Sequence, residues 1–253
     1  MGLSVHKLCY AYEDGFSLSA ISFDAENGRV LGIIGANGSG KSTLLECVVG
    51  LRKPLDGTIW IDGKDYSSMR RREVARHVGY VPQNHAPAFP FRVADVVLMG
   101  RCPHLRTLES PSKADQEIAQ GKLQELGLGH LAGRSYTRVS GGERRLVMIA
   151  RALTQEAAII VLDEPTAYLD FRNRQQVIHT LSELASRGTA VVMTLHDPTD
   201  ALECCDDALL LCDGATVACG PSCEVITEEN LSRAYNVAIR RLDQPRFVVD
   251  SYH

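Results

Sequence analysis

A glycine-rich loop between an apolar run and a helical pattern constrains the fold of this chain more than any other feature. The run VLGIIG (30–35) leads into GANGSGKST (35–43), and KSTLLECVVGL (41–51) then has apolar residues at helical spacing. A buried strand, a glycine turn and a helix in that order form a unit that presents backbone N–H groups to an anion. The unit predicts an α/β fold with this loop at the carboxyl end of a parallel strand.

The residue types in the loop predict the class of ligand. Residues 35–42 fit the pattern G-x-x-x-x-G-K-[ST]. In such a loop Lys41 can reach the β- and γ-phosphates, and the Ser42 hydroxyl can ligate Mg²⁺. The alternative is a glycine turn that matches by chance, which the strand–loop–helix context disfavours. We therefore predict a site for a nucleoside triphosphate and Mg²⁺ formed by Gly35, Asn37, Gly38, Ser39, Gly40, Lys41, Ser42 and Thr43.

Two later apolar runs end in polar residues, as expected of buried parallel strands whose carboxyl ends form a site. AIIVLDEP (158–165) ends in Asp163 and Glu164, and AVVMTLHD (190–197) carries His196. We expect Asp163 to hold Mg²⁺ directly or through water, and Glu164 to polarise the water that attacks the γ-phosphate. His196 would hold the γ-phosphate and that water in line. The alternatives are a carboxylate that caps the next helix and a purely structural histidine.

A single glutamine, Gln83 in GYVPQN (79–84), follows another β-like stretch. Its amide oxygen could ligate magnesium or orient water, which would let it sense the γ-phosphate. A lone glutamine is weak evidence, and its type and position alone leave a role in the site and no role equally open.

A second glycine loop, VSGGERR (139–145), precedes the helical run RRLVMIARAL (144–153). Ser140, Gly141 and Gly142 would then lie at a helix N-terminus, which is an anion site. Ser140 also fits a simple N-cap, with Glu143 as its capping-box partner. Two glycines weaken a helix start unless something approaches the backbone closely. If the loop cannot fold back onto its own phosphate loop, a second copy can supply it in a head-to-tail dimer that holds two nucleotides.

The order of the patterns predicts an α/β P-loop NTPase (RecA-like) core with two additions. One is an N-terminal antiparallel β part, because the first 30 residues and GTIWIDGKDY (57–66) look β-like. The other is an inserted α-helical sub-domain with patterns such as ADQEIAQGKLQELGLGHL (114–131). We predict a single domain with the nucleotide-binding core in 1–83 and 158–220, the helical sub-domain in 84–157 and a C-terminal appendage in 221–253.

Composition narrows the class of protein further. A formal net charge of -4 over 253 residues gives no basic field of the kind that nucleic acid requires, so we expect no nucleic-acid partner. The eight cysteines are scattered without a CxxC pair, which favours reduced thiols, and we assign Cys204 and Cys205 to packing. No apolar run approaches the ~18 residues that span a bilayer. If the protein acts at a membrane, another subunit must hold it there.

Together these motifs resemble the ATP-binding cassette ATPases, the nucleotide-binding subunits of ABC transporters, over essentially the whole chain. The resemblance makes GANGSGKST the Walker A loop and implies that the signature loop contacts the ATP of the partner chain. It also implies that Tyr12 stacks on adenine, with Tyr10 as the alternative, and that Asp170 belongs to the nucleotide site. The remaining matches are Gln83 for the Q-loop, VSGGE (139–143) for the signature, IIVLDE (159–164) for Walker B, AYLD (167–170) for the D-loop and His196 for the switch histidine.

Three further stretches narrow the resemblance: DVVLMGRCPHL (95–105), LDEPTAYLDFRNRQQV (162–177) and DGATVACGPSCEVITEENLSRAYNV (213–237). They are similar to subunits that serve iron-siderophore, haem and vitamin B12 importers, with molybdate importers as an alternative. The resemblance implies a homodimer bound to integral membrane permease subunits at the cytoplasmic face of the membrane, and indirectly to a substrate-binding protein. The alternatives are a non-transport cassette ATPase, an exporter subunit and a nucleotide-binding regulator without turnover.

Three residues depart from the family pattern. Val139 replaces the usual leucine before the signature, Leu146 replaces a common arginine after it, and Ala167 replaces the usual D-loop serine. None of these changes removes a group expected to bind phosphate or magnesium, so we still expect hydrolysis. Ala167 puts fine coupling between the two sites in doubt.

Overall fold

The computed structural model describes residues 2–13, 15–83, 89–106 and 108–240. Its strands and α-helices, in chain order, are β1 (Leu3–Ala11), β2 (Ser17–Ala25), β3 (Val30–Gly35), α1 (Lys41–Val48), β4 (Asp56–Ile61), β5 (Lys64–Asp65), α2 (Arg71–His77), β6 (Val78–Val81), α3 (Val93–Leu98), α4 (Lys113–Glu125), α5 (Gly141–Thr154), β7 (Ile159–Leu162), α6 (Phe171–Ser186), β8 (Ala190–Leu195), α7 (Pro198–Cys204), β9 (Asp207–Cys212), β10 (Ala215–Pro221), α8 (Ser222–Val225) and α9 (Glu228–Tyr235).

A six-stranded sheet in the order β10-β9-β3-β8-β7-β6 forms the centre of the molecule. Neighbouring strands from β9 to β6 are parallel, and β10 is antiparallel to β9. The three apolar runs predicted as strands are β3, β7 and β8, and every residue in them is buried. Their uninterrupted apolar sequence follows from this burial on both faces of the sheet. The predicted α/β core is confirmed.

A second, antiparallel sheet in the order β2-β1-β4-β5 covers one side of the core. In β2 and β4 buried and exposed residues alternate over part of the strand, as expected when one face packs inward and the other meets solvent. Buried residues of this sheet, such as Val5 and Ile59, join Leu44 of α1 and Ile33 of β3 in one apolar cluster. This packing confirms the predicted N-terminal antiparallel part. The sheet packs against β3 and α1, the two elements that flank the phosphate loop.

Helices α3, α4 and α5 pack against one another beside the carboxyl end of β6. One face of α5 is apolar and buries Leu146, Val147 and Ile149 among the residues of the main core. The expected inserted helical sub-domain is therefore present, although its boundaries stay a prediction. Residues 84–88 of the proline-rich loop that opens it lie outside the described part.

The GRCPH stretch (100–104) links the helices of the helical region through hydrogen bonds. The buried Arg101 guanidinium donates to the Asp115 carboxylate at 2.8 Å, to the carbonyl of Thr154 at 3.0 Å and to Glu156 at 2.8 Å. The His104 ring lies 2.8 Å from the carbonyl of Gln155. These contacts tie α3 and α4 to the end of α5, which gives this family-like stretch a structural role.

The region after residue 221 contains α8 and α9, which pack on β9 and β10; residues 241–253 lie outside the described part. All eight cysteines are free. Cys205 is buried and its Sγ lies 3.9 Å from that of Cys204, in agreement with the packing role assigned to this pair. In the described ranges, no helix is both long enough and apolar enough to cross a membrane.

Candidate functional site

Four parallel strands bring the predicted site residues to one edge of the central sheet. The phosphate loop follows β3, His196 follows β8, Asp163 and Glu164 follow β7, and Gln83 lies two residues after β6. Since β6, β7, β8 and β3 are consecutive neighbours, their carboxyl ends form a continuous edge. This edge is the expected ligand-binding edge of such a sheet.

A cavity of about 780 Å³ opens at this edge. Its volume suits a nucleotide-sized ligand. Phe16, Ala167 and Tyr168, which the sequence reasoning did not assign to the nucleotide, also line it. The predicted site residues on its wall are Tyr12, Asn37, Gly38, Gly40, Lys41, Ser42, Thr43, Gln83, Glu164 and His196.

The phosphate loop has the geometry that an anion requires. Gly40 precedes α1 with φ 100°, and a Cβ there would lie 2.5 Å from Leu18 Cδ2, so only glycine fits. The Ser39 hydroxyl is buried and has no hydrogen-bond partner among the described residues. A buried unpaired donor at the start of a helix matches a phosphate oxygen. Gly35 and Ser39 belong to the same loop but do not line the cavity.

Lys41 is buried within its own loop. Its ammonium donates to the carbonyl of Gly35 at 2.7 Å and to that of Ala36 at 3.1 Å. Burial lowers the pKa of Lys41, and the nearby carboxylates of Glu164 and Asp163 act in the opposite direction. The Lys41 side chain thus lies on the wall of the cavity and is held by hydrogen bonds to its own loop.

The Glu164 carboxylate is held at both of its oxygens. Oε1 lies 2.6 Å from Nε2 of His196, and Oε2 accepts a hydrogen bond of 2.7 Å from the Gln83 amide. The Glu164 side chain is almost completely buried, whereas that of His196 is about half exposed. The structure thus brings together three residues that come from three different strands and were singled out separately.

Asp163 lies behind the cavity wall and is 2% exposed. Its Oδ1 accepts a hydrogen bond of 2.7 Å from the hydroxyl of Thr194, which in turn accepts one from the backbone N–H of Glu164 at 2.7 Å. The sequence reasoning did not identify Thr194. The only signal was its place in β8, two residues before His196 and so on the same face of the strand.

The residues proposed to hold Mg²⁺ are Ser42, Gln83 and Asp163. They offer a hydroxyl, an amide oxygen and a carboxylate, and oxygen donors of these types are the ligands that Mg²⁺ prefers. Ser42 and Gln83 line the cavity, while Asp163 lies just behind it. The donor set fits a magnesium ion that keeps some of its water ligands.

The structure distinguishes the two tyrosines proposed for adenine. Tyr12 lines the cavity, and its hydroxyl lies 3.2 Å from that of Thr43. Tyr10 meets it edge-on with the ring centroids 5.0 Å apart, and its phenol accepts a hydrogen bond from Arg52. The Arg52 guanidinium also lies 4.6 Å from the centroid of the Tyr12 ring. Tyr12 is the better placed of the two, with Tyr10 and Arg52 supporting it.

The signature loop does not line this cavity. The Ser140 hydroxyl accepts from the backbone N–H of Glu143 at 3.2 Å, and the Glu143 carboxylate accepts from that of Ser140 at 2.7 Å. These two bonds form the capping box, so the N-cap alternative describes the local geometry of Ser140. Hydrogen bonds to the Glu143 carboxylate from the backbone and the side chain of Ser140 lower the pKa of Glu143. Gly141 lines a separate cavity of about 190 Å³, and Gly142 lies beside Leu169.

Asp170 is likewise away from the wall of the large cavity. It is exposed and caps α6, because its Oδ1 accepts from the backbone N–H of Asn173 at 2.8 Å. Within one chain, the phosphate loop therefore lies together with Gln83, Glu164 and His196. The residues outside this group are Ser140, Gly141, Gly142 and Asp170.

A phosphate loop, a buried aspartate and a carboxylate held beside a histidine and a glutamine define a P-loop nucleoside triphosphatase. The particular family follows from comparison with known proteins. The family model described as ABC transporter matches residues 18–167, and this chain belongs to that family. It is an ATPase and has the fold of the ATP-binding subunits of ABC transporters.

Curated relatives match this chain over most of its length. It is 37% identical over 237 residues to the molybdate import ATP-binding protein MolC of Haemophilus influenzae, covering 93% of this chain and 88% of that protein. It is 39% identical over 237 residues to the hemin import ATP-binding protein HmuV of Bordetella avium, covering 90% of each. It is also 40% identical over 227 residues to the manganese transport system ATP-binding protein MntB of Bacillus subtilis, covering 89% and 88%.

Solved structures agree with this assignment. An inward-facing structure described as a metal-chelate type ABC transporter has a TM-score of 0.82 and 36% identity, covering 93% of this chain and 89% of that one. An ATP-binding cassette of an ABC transporter in its ADP conformation has a TM-score of 0.81 and 26% identity, covering 92% and 98%. The chain is therefore similar in sequence to import ATP-binding proteins and in structure to the ATP-binding cassettes of ABC transporters.

Proposed function

We propose that this chain is the ATP-hydrolysing subunit of an ABC importer whose cargo is a metal chelate: a ferric siderophore, haem or cobalamin. Molybdate is the alternative cargo. The observation that carries the proposal is the Glu164 carboxylate, held between Gln83 and His196 at the phosphate-loop cavity. This arrangement suits a base that orients water, and relatives named for import of hemin and of molybdate share most of the chain.

In the proposed mechanism the phosphate loop binds and orients the triphosphate. Lys41 shares its N–H donors between the loop carbonyls and the phosphate oxygens, and the Ser39 hydroxyl gains the partner that it lacks within the chain. Mg²⁺, held by Ser42, Gln83 and Asp163, would neutralise the charge that develops on the phosphates. Tyr12 stacks on the adenine ring, while Glu164 accepts the proton of the attacking water. His196 holds the γ-phosphate and that water in line.

The signature loop completes the site of a second copy. In the described structure, a Cβ on Gly141 would meet no atom within 4 Å, so packing inside the chain does not account for that glycine. The open N-terminus of α5 can accept an anionic ligand from outside. We infer a head-to-tail homodimer in which Ser140, Gly141 and Gly142 contact the nucleotide of the partner. Asp170, exposed at the start of α6, would lie at the same dimer interface.

The helical region offers a surface for membrane subunits. The rings of Phe89 and Phe91 are in tilted contact with centroids 5.9 Å apart, the two residues are 64% and 47% exposed, and Met99 is also exposed. Exposed apolar clusters of this kind mark interaction sites. We propose that this surface, with the Gln83 loop, grips a short cytoplasmic helix of each permease subunit. Closure of the dimer on ATP would then change the conformation of the transport path in the permease. The chain would be a peripheral subunit at the cytoplasmic face of the membrane, and a substrate-binding protein would be an indirect partner.

An uptake experiment tests both the activity and the cargo. The gene is deleted, and uptake of labelled ferric siderophore, haem, cobalamin and molybdate is measured side by side. Complementation uses the wild-type gene and Glu164→Gln. We expect loss of one cargo, restored by the wild type alone. Unchanged uptake of all four would contradict the proposed cargo class, and restoration by Glu164→Gln would contradict the proposed base.

A further inference from the structure

We propose that Arg145 is a positioning residue that holds Glu164 and the Gln83 loop in their working arrangement from the signature helix α5. The inference rests on the proposed function, because it assigns to Arg145 an effect on the carboxylate proposed as the base. Arg145 does not line the large cavity and contacts Glu164 through the backbone, so its effect on the reaction is indirect.

Every N–H of the Arg145 guanidinium finds a backbone carbonyl. Nη1 donates to Pro82 at 2.5 Å and to Gln83 at 3.0 Å, and Nε donates to Pro165 at 3.4 Å. Nη2 donates to the carbonyls of Asp163 and Glu164. A guanidinium has five such donors in a planar fork, so one side chain joins two segments that enter the site from different strands.

The backbone at Glu164 needs such support. Its φ is +51°, in the left-handed region that non-glycine residues rarely adopt. Such a conformation is unfavourable and persists where surrounding contacts over-determine it. Arg145 holds the carbonyls on both sides of this residue and its own carbonyl, while Thr194 accepts from its N–H. This conformation directs the carboxylate toward His196 and Gln83.

Because the Arg145 side chain is partly buried, loss of its hydrogen bonds should have a large effect. Burial lowers the pKa of Arg145, while the carboxylates of Asp163 and Glu164 act in the opposite direction. A guanidinium stays charged in proteins, so its hydrogen bonds to the carbonyls are charge-assisted. Removing it would leave the partly buried carbonyls of Pro82, Gln83 and Asp163 without this donor.

Arg145 directly precedes Leu146 on α5. Leu146 is 3% exposed and packs in the apolar core, so the guanidinium that contacts the Gln83 and Glu164 backbones comes from Arg145. Arg145 and Gly141 both belong to α5. The start of this helix at the signature loop therefore lies about 6 Å along the helix axis from Arg145.

The test uses the full-length chain with Arg145→Met and Arg145→Lys, and Arg187→Met as the matched control. Arg187 is an exposed arginine at the end of α6. We measure kcat, KM, the Kd for ATP and the melting temperature. We expect kcat to fall by about 100-fold in Arg145→Met, because small displacements of a reacting group have effects of that size. Lysine has three donors in place of five, so Arg145→Lys should fall by about 10-fold. The Kd for ATP should stay within about threefold.

A double-mutant cycle separates positioning from general damage. If Arg145 acts through Glu164, adding Arg145→Met to Glu164→Gln should lower the residual rate by less than about twofold. Full additivity, or an unchanged kcat in both Arg145 variants, overturns the inference. If Arg145→Met does not fold, Arg145→Lys decides on the same criteria. If Glu164→Gln is inactive but the Arg145 variants are fully active, the role of Arg145 is contradicted and the proposed base is not. If Glu164→Gln is fully active, the proposed base and the role of Arg145 are both contradicted.

Discussion

Glu164 and His196 are in direct contact, with Oε1 of the carboxylate 2.6 Å from Nε2 of the ring. One residue follows β7 and the other follows β8, and the two strands are neighbours. The contact therefore depends on the sheet and not on any local sequence motif. The second carboxylate oxygen, bound to Gln83, links a third strand to the same group.

Glu164→Gln should bind ATP and barely hydrolyse it. The amide keeps the size of the side chain but cannot accept the proton of water, and loss of a general base costs about 100- to 10,000-fold in rate. The variant should accumulate as an ATP-bound dimer, visible by size-exclusion chromatography with ATP. Glu183→Gln, a change at a partly exposed residue of α6, is the matched control. Turnover like that of the wild type would show that Glu164 is not the base.

His196→Ala should lower kcat by about 100-fold, because water and γ-phosphate lose the group that aligns them. The Kd for ATP should change little, since the phosphate loop supplies most of the contacts to the triphosphate. Steady-state hydrolysis and equilibrium binding of ATP measure the two quantities. His6→Ala, at an exposed residue of β1, should behave like the wild type. An equal loss in both histidine variants would contradict a specific role for His196.

Thr194→Val should lower both stability and kcat. Valine keeps the shape but leaves the Glu164 N–H and an oxygen of Asp163 without the buried hydroxyl, which costs about 1–3 kcal/mol. Urea unfolding and ATP turnover check the two effects. Thr180→Val is the control, because Thr180 is also buried and bonds only the preceding turn of its own helix. If the two variants lose equal activity, the Thr194 hydroxyl does not organise the site.

The central fold could be predicted because its signals are local. VLGIIG, IIVL and AVVMTL are short apolar runs, and each becomes a fully buried strand. Glycines and a capping serine also indicated where α1 and α5 begin. Strand order was less accessible, because it depends on pairing between residues such as Val161 and Val192 that are far apart along the chain.

The site was predicted at the level of residue types and not of contacts. Motif spacing identified Glu164, Gln83 and His196, but the hydrogen bonds among them cross from strand to strand. Arg145 gave no signal, because an arginine after a signature loop looks like an exposed helix residue until the fold brings five backbone carbonyls from two other segments around it. Thr194 was missed for a similar reason, since a threonine in a strand is ordinary.

Tyr12→Leu should raise the KM for ATP by up to about 10-fold, because stacking of an aromatic ring contributes about 0.5–1.5 kcal/mol. Tyr10→Leu is the matched comparison and should raise KM by less than about threefold, since Tyr10 supports Tyr12 and Arg52 but does not line the cavity. ATP titrations of hydrolysis measure both. A larger effect at Tyr10 would reverse the assignment of the adenine-stacking residue.

Asp115→Asn should destabilise the helical region at neutral pH and flatten its response to acid. Hydrogen bonds from Ser112 and Arg101 lower the pKa of Asp115 from 3.8 to about 2. Between the two pKa values, the Asp115 carboxyl is therefore deprotonated in the folded state and protonated in the unfolded chain. The deprotonated carboxylate thus stabilises the folded state fully above pH ~4, and this contribution is lost as the pH falls toward 2.

Urea unfolding at several pH values between 2 and 7 checks this prediction. The wild type should lose stability steeply below pH ~4, and Asp115→Asn should start lower and lose less over the same interval. Asp95→Asn removes an exposed carboxylate from α3 and should leave the acid slope unchanged. If Asp115→Asn and Asp95→Asn give the same slope, the buried pair of Asp115 with Arg101 does not contribute to acid sensitivity.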